Sequence, residues 1–154
     1  MKNNRLALVP AFVLATSALL ALPTQAQTAE APAVAASALF QTFGAKPGLV
    51  KLMDDFMVRL LADPRTGAHF KPANQQRVKE QLVDQFCVTL GGPCVYKGAD
   101  MKSSHANLDI TKGDFNALVE VLQAAMDAQG IPYAAQNRLL ALLAPMHRDV
   151  ITVQ

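Results

Sequence analysis

Three histidines, His69, His105 and His147, are the side chains best suited to chemistry at neutral pH. His105 lies in the run GGPCVYKGADMKSSHANLDI, about 14 residues after a Gly-Gly-Pro stop. A neutral imidazole is a good ligand for iron and other transition metals, and its ordinary pKa of about 6.5 leaves it available at neutral pH. Spacing alone favours the alternative of an exposed or helix-capping histidine, so the segments around His105 decide between the two roles.

Helical periodicity precedes this run. After Pro47 the apolar residues recur at three- and four-residue spacing, which predicts a helix that ends just before Pro64. A polar turn, predicted at 65–73, leads to a second helix from Asn74, a suitable N-cap, to Leu90. The apolar stripe of this second helix consists of Val78, Leu82, Phe86 and Leu90.

The segment that contains His105 has weak periodicity, and we predict a loop with one short helical turn at 101–106. Thr111 and Asp114 have the spacing of a capping box and open another helix with a wide apolar face. A last helix begins near Pro132, and Pro145 should kink it. The sequence therefore predicts an all-α fold.

Taken in order, these features resemble the group 1 truncated haemoglobins, the short two-over-two globins. The matching segments are Phe43-Gly44, Asp54 to Arg65, Phe70, Leu90 to Pro93, and the Tyr-x-Gly-x-x-Met-x-x-x-His run from Tyr96 to His105. The resemblance covers roughly residues 39–153, and one departure is Ala45, where the family usually has a second glycine. It implies a truncated globin fold, a two-over-two helical sandwich around a haem, over residues 37–154.

The same resemblance implies that His105 is the protein ligand of the haem iron and that Phe70 stacks on the porphyrin. The second ring nitrogen of His105 then needs an acceptor, which we expect to be a backbone carbonyl near Met101. The expected apolar walls are Met57, Val78, Leu82, Phe86, Met101, Ile110, Phe115 and Val119. The candidates for pairing with the haem propionates are Lys71, Arg77, Lys79 and Lys102, for each of which ordinary surface solvation is the alternative.

The distal side departs from the relatives, which commonly use a tyrosine and a glutamine to donate hydrogen bonds to bound dioxygen. The matching positions here are Met57, Val78 and Leu82, all apolar. Gln81 is the nearest polar replacement, and its rotamer decides whether it can serve. A further iron ligand from Met57, His69 or Gln81 is the alternative, although a methionine at such a position more often lines the pocket.

The N-terminus has the composition of an export signal. Lys2 and Arg5 precede an uncharged apolar stretch at 6–22, and small residues predict cleavage after Ala26, which makes 1–26 a signal peptide. An Ala/Pro tether at 27–36 follows. We therefore expect a periplasmic protein without stable membrane insertion after cleavage, and an uncleaved anchor is the alternative.

The charge balance and the cysteines bear on the binding partners and on the attachment of a haem. Without Lys2 and Arg5 the chain has 12 basic and 12 acidic residues, a balance that predicts no nucleic-acid surface. Cys87 and Cys94 are more often bridged than free in an exported protein, and two buried thiols are the alternative. No Cys-x-x-Cys-His run is present, so covalent haem attachment is not predicted.

The leading hypothesis is thus a non-covalent b-type haem protein that binds a diatomic gas, O2, CO or NO, in an apolar distal pocket. We expect no dedicated enzyme activity beyond weak peroxidase or NO-related redox chemistry, and an unidentified reductase is a candidate partner. A redox sensor or electron-transfer protein with six-coordinate iron is the second hypothesis, and a helical interaction module without a cofactor is the third. No phosphate loop, carboxylate pair or nucleophile–base pair favours a hydrolase or nucleotide enzyme.

Overall fold

A computed structural model of the chain describes residues 38–153, and the predicted signal peptide and tether lie outside this range. The described part is helical and contains no strand, which confirms the all-α prediction. The helical elements are α1 at 38–42, α2 at Ala45–Ala62, α3 at Gly67–Phe70, α4 at Gln75–Thr89, α5 at Met101–His105, α6 at Lys112–Ala128, α7 at Tyr133–Leu143, a 3-10 turn at Ala144–Met146 and α8 at His147–Val150.

Two helix pairs enclose the core. Helix α2 packs against α4, α6 packs against α7, and further contacts of α2 with α6 and of α4 with α7 join the pairs. The periodic face of α2 supplies the centre of the core because its apolar side chains are almost fully buried, and these are Leu49, Leu52, Met53, Phe56 and Leu60. None of the helices in 38–153 has the length and apolar character that would let it cross a membrane.

The turn between α1 and α2 explains why the predicted start of α2 is wrong. We predicted that the helix begins at Pro47, but it begins at Ala45, directly after Gly44. Both Gly44 and Ala45 have positive φ angles, 77° and 54°. A left-handed conformation is easy for glycine and costs an alanine about 1–2 kcal/mol. The position where the chain departs from the family pattern is therefore one where the backbone favours glycine.

Helix α4 forms within one residue of its predicted bounds. The side chain of its N-cap, Asn74, accepts a hydrogen bond from the Arg77 backbone N–H at 3.0 Å. Beyond its C-terminus, a Cβ at Gly92 would lie 2.7 Å from both the Cys87 sulfur and the Phe40 ring, so the close approach requires glycine. The predicted disulfide is present between Cys87 and Cys94, with a Cα–Cα distance of 5.8 Å. It ties the end of α4 to the chain that leads to α5.

Two other predicted boundaries need correction. The segment at 65–73 is not a plain polar turn, because it contains α3. Thr66 before α3 is buried, and its hydroxyl donates to the Leu60 carbonyl at 2.8 Å, which anchors the turn to α2. Pro145 does more than kink the last helix, because a 3-10 turn separates α7 from α8 there.

Candidate functional site

His105 is the last residue of α5, a helix of one turn. The turn forms because the Asp100 carboxylate caps it, accepting from the Ser103 backbone N–H at 2.8 Å and from the Ser103 hydroxyl at 2.6 Å. The hydrogen bond from the Ser103 hydroxyl has the largest effect on the pKa of Asp100, and together with the backbone hydrogen bond it holds that pKa below its usual value. The cap is therefore charged at neutral pH, and α5 is well defined despite its shortness.

The His105 ring is oriented by the contact that we expected from the sequence. Its Nδ1 lies 2.7 Å from the Met101 carbonyl oxygen, one turn earlier. A carbonyl oxygen can only accept, so Nδ1 carries a hydrogen, and in the neutral imidazole the lone pair is then on Nε2. The Ser104 hydroxyl lies 3.2 Å from the same nitrogen and itself donates to the Asp100 carbonyl at 2.6 Å. The arrangement orients a half-buried imidazole whose Nε2 points away from the carbonyl and is the candidate metal ligand.

The predicted apolar walls fall into two groups by burial. Met57, Phe86 and Ile110 are buried, but Met57 and Ile110 do not belong to the main hydrophobic cluster. The other wall candidates are half-buried, and these are Phe70, Val78, Leu82, Met101, Phe115 and Val119. Helices α3 to α6 thus carry large apolar side chains that the protein itself covers only in part.

Gln81 does not lie with the distal candidates. Its side-chain oxygen lies beside Gly98, where an added Cβ would come within 2.5 Å of it and closer still to the Tyr96 hydroxyl. Together with charged residues these side chains line a cleft of about 440 Å³ between α4 and the loop before α5. The Tyr96 hydroxyl donates to the Ala99 carbonyl at 2.8 Å, and burial raises the pKa of Tyr96 above its usual value. Gln81 is thereby directed to this cleft.

The four cations predicted to pair with the propionates lie in different surroundings in the structure. Lys79 pairs with Asp54 at 2.6 Å and links α4 to α2. Lys71 and Lys102 are exposed, whereas Arg77 lines the cleft beside Gln81. Lys97 lines the same cleft, and the sequence reasoning missed it. Its position next to Tyr96 was the available signal.

Of the other two histidines, His69 faces a carboxylate and His147 lies at the surface. Nε2 of His69 lies 3.7 Å from an Asp114 carboxylate oxygen, at the start of α6. Asp114 forms the predicted capping box with Thr111, whose hydrogen bonds lower the pKa of that carboxyl more than His69 does. His147 is exposed and makes an edge-to-face contact with Phe115, with ring centroids 6.1 Å apart.

One polar residue on the apolar face of α4 was missed. Gln85 follows Leu82 by three residues and Val78 by seven, a spacing that places all three on one face. The Gln85 amide nitrogen lies 3.5 Å from the Met101 sulfur and 3.4 Å from the Met146 sulfur. The position of this glutamine beside Leu82 and Phe86 of the apolar stripe was the signal in the sequence.

Comparison with known proteins identifies the family. The family model described as Bacterial-like globin matches residues 38–152. The chain belongs to this family. The group 1 truncated hemoglobin GlbN of Mycolicibacterium paratuberculosis (strain ATCC BAA-968 / K-10) is 31% identical over 116 residues, 75% of this chain and 85% of that protein. A group 1 truncated hemoglobin of Tetrahymena thermophila is 29% identical over 93 residues, 60% of this chain and 77% of that protein.

Solved structures agree with this assignment. The Fe(III) form of the truncated hemoglobin from Tetrahymena pyriformis superposes with a TM-score of 0.70 at 25% identity, over 73% of this chain and 97% of that chain. The 2/2 hemoglobin from Synechococcus sp. PCC 7002 gives a TM-score of 0.69 at 19% identity, which bears on the fold alone. The predicted resemblance to group 1 truncated haemoglobins is confirmed. As a globin, the chain is a haem protein that binds small gas molecules.

Proposed function

We propose that this globin holds a non-covalent b-type haem through Nε2 of His105 and binds a diatomic gas, O2, CO or NO, on the opposite face. The observation that carries the proposal is the 2.7 Å hydrogen bond from His105 Nδ1 to the Met101 carbonyl. Such a bond fixes the tautomer and the ring orientation of a metal-ligating histidine and makes its other nitrogen a better donor.

The residues present fit a haem in three respects. No group of three or more His, Cys, Asp or Glu side chains suited to a metal ion occurs within 38–153. A porphyrin brings its own four nitrogen ligands, so one imidazole suffices from the protein. The half-buried apolar side chains on α3 to α6 suit its faces, with Phe70 as the stacking residue. Arg77 and Lys97 line the cleft beside Tyr96, together with the carboxylates of Glu80 and Asp84, and are the cations that we assign to the propionates.

The chain's own distal residues set the selectivity of the site. Bound haem would supply the iron that coordinates the gas. Met57, Val78 and Leu82 offer apolar contact and no hydrogen-bond donor, and Gln81 is directed toward Tyr96 instead. A donor to a charged group contributes about 1.5–3 kcal/mol, so its absence weakens the binding of dioxygen, a polar ligand, relative to carbon monoxide. It also leaves the haem more prone to oxidation.

The proposal also includes the location of the protein and a partner. We infer export to the periplasm with cleavage after Ala26 and, because the haem oxidises readily, a reductase as partner. The Cys87–Cys94 disulfide supports export, since disulfides persist in oxidising compartments.

Electron transfer or redox sensing is the second candidate, and one observation favours it. Met57 is a buried methionine, 4% exposed, at the position where relatives commonly have a tyrosine, and its thioether is a candidate further iron ligand. His69 is less suited to that role because its Nε2 faces Asp114.

The visible spectrum of the reduced protein separates the two candidates. Residues 27–154 would be purified, reconstituted with haem, reduced and exposed to carbon monoxide. A five-coordinate ferrous spectrum that shifts with carbon monoxide is expected. A low-spin six-coordinate spectrum that resists carbon monoxide, and becomes five-coordinate in Met57→Leu, would favour the redox function. Failure to take up one haem per chain would contradict the proposed function.

A further inference from the structure

The two thioethers that meet at Gln85 connect three separate elements. Met101 belongs to α5, Met146 belongs to the 3-10 turn before α8, and Gln85 belongs to α4. An amide nitrogen has two hydrogens, and a thioether sulfur is a weak acceptor. One Gln85 side chain can therefore donate to both sulfurs at the observed distances of 3.5 and 3.4 Å.

Apart from the Cys87–Cys94 disulfide, which holds the chain that leads to α5, few contacts attach α5 itself to α4. Helix α5 contains no buried residue, and the hydrogen bonds of its cap residue, Asp100, all stay within 100–104. The segment also packs against α8, next to the turn that carries Met146. Within the described range, the bond from Gln85 to Met101 is the hydrogen bond that joins α4 to α5. The Gln85–Met101 contact therefore connects α5 to α4 at a point where α5 has no buried apolar residue.

Met101 has two roles in this arrangement. Its sulfur accepts from Gln85, and its carbonyl oxygen accepts from His105 Nδ1 at 2.7 Å. We propose that Gln85 is a positioning residue, which holds α5 through the Met101 side chain and thereby sets the orientation and donor strength of the His105 imidazole. The role in iron ligation rests on the proposed function, whereas the positioning of the imidazole does not.

The test uses two substitutions of the same side chain. Gln85→Leu removes both donors and keeps helix propensity, and Gln85→Glu keeps the shape but presents an acceptor to two sulfur acceptors. Gln75→Leu is the matched control, because Gln75 is also a half-buried glutamine of α4 but lies ten residues earlier. Met101→Leu removes the sulfur and retains the carbonyl, so it should reproduce the effect of Gln85→Leu.

The first readout is taken on the haem-free protein. Nitrogen-15 shifts of the His105 imidazole report which ring nitrogen carries the hydrogen. The wild type and Gln75→Leu should show the Nδ1–H form, and both Gln85 variants and Met101→Leu should show a mixture of the two tautomers. An unchanged Nδ1–H form in folded Gln85→Leu and Gln85→Glu would overturn the positioning role, whatever happens with haem.

The second readout is taken on the haem-loaded protein. We expect a lower iron–histidine stretching frequency in the resonance Raman spectrum of the ferrous Gln85 variants. We also expect transfer of haem to an acceptor protein to be about two- to tenfold faster, the range for one weak hydrogen bond. Values equal to those of Gln75→Leu would overturn the influence on the ligand. Wild-type protein that takes up no haem would instead contradict the proposed function, while the imidazole shifts would still test the positioning.

Discussion

A glutamine at Leu82 should restore the hydrogen-bond donor that the distal side lacks. Leu82 is half-buried on the face of α4 that also carries Val78, and Met57 of α2, the helix packed against α4, is almost fully buried. The only neighbouring glutamine toward the N-terminus of that face, Gln81, lies against Gly98 and Tyr96. The other amide on that face, Gln85, donates to the Met101 and Met146 sulfurs, so Leu82→Gln introduces a donor that these contacts do not occupy.

The size of the effect follows from two opposing contributions. A hydrogen bond to a partly charged ligand contributes about 1.5–3 kcal/mol, which is roughly ten- to a hundredfold in affinity for dioxygen. The substitution replaces a side chain of similar size and similar helix propensity at a site that is not fully buried, so folding should lose only about 1 kcal/mol. The gain in ligand affinity should therefore exceed the loss in stability.

The assay is the dissociation rate of dioxygen from the reduced protein, measured by rapid mixing, together with the rate of oxidation to the ferric form. Both rates should fall in Leu82→Gln, by about tenfold or more for dissociation. Leu82→Met is the matched control, because it fills similar space without a donor, and carbon monoxide, a less polar ligand, should be affected much less in both variants. Equal dioxygen dissociation rates in folded Leu82→Gln and Leu82→Met would refute the account of the distal side.

Three further perturbations test the fold around the site. Replacing Cys87 and Cys94 by serine opens a loop of about eight residues, so the free energy of unfolding should fall by about 2.5 kcal/mol. The thermal midpoint should then be lower by about 10 °C, and a midpoint within 2 °C of wild type would contradict this. Ala45→Gly relieves the positive φ of 54° and should raise the free energy of unfolding by about 0.5–1 kcal/mol, whereas a loss would mean that Ala45 is unstrained. Because the pKa of Asp114 is lowered in the fold, its stabilising effect is present above the usual carboxyl pKa and is lost as the pH falls through the folded value. Urea unfolding of wild type and Asp114→Asn should therefore differ more at pH 6 than at pH 3, and a difference that grows toward pH 3 would contradict this sign.

Local sequence rules predicted the parts of the fold that depend on a few neighbouring residues. The Asn74 cap, the Gly-Gly-Pro end of α4 and the capping box at Thr111 formed as expected because each contact lies within one helical turn. The hydrogen bond from His105 to Met101 was predictable for the same reason, since the two residues are four apart on a short helix.

Contacts between distant segments were not predictable from the sequence. Lys79 was a candidate for a propionate, and its pairing with Asp54 depends on how α2 lies against α4. Gln85 was overlooked because its partners, Met101 and Met146, lie 16 and 61 residues away along the chain. The true start of α2 depended on Ala45 adopting a backbone conformation that its residue type disfavours.

The most direct test of haem ligation by His105 is the spectrum of His105→Gly with and without added imidazole. We predict that the reduced, haem-loaded variant loses the five-coordinate histidine spectrum of the wild type and regains it when imidazole fills the space left by the side chain. His147→Gly is the control, because His147 is exposed and should leave the spectrum unchanged. A histidine-ligated spectrum in His105→Gly without imidazole would contradict the account and would assign the iron to another histidine.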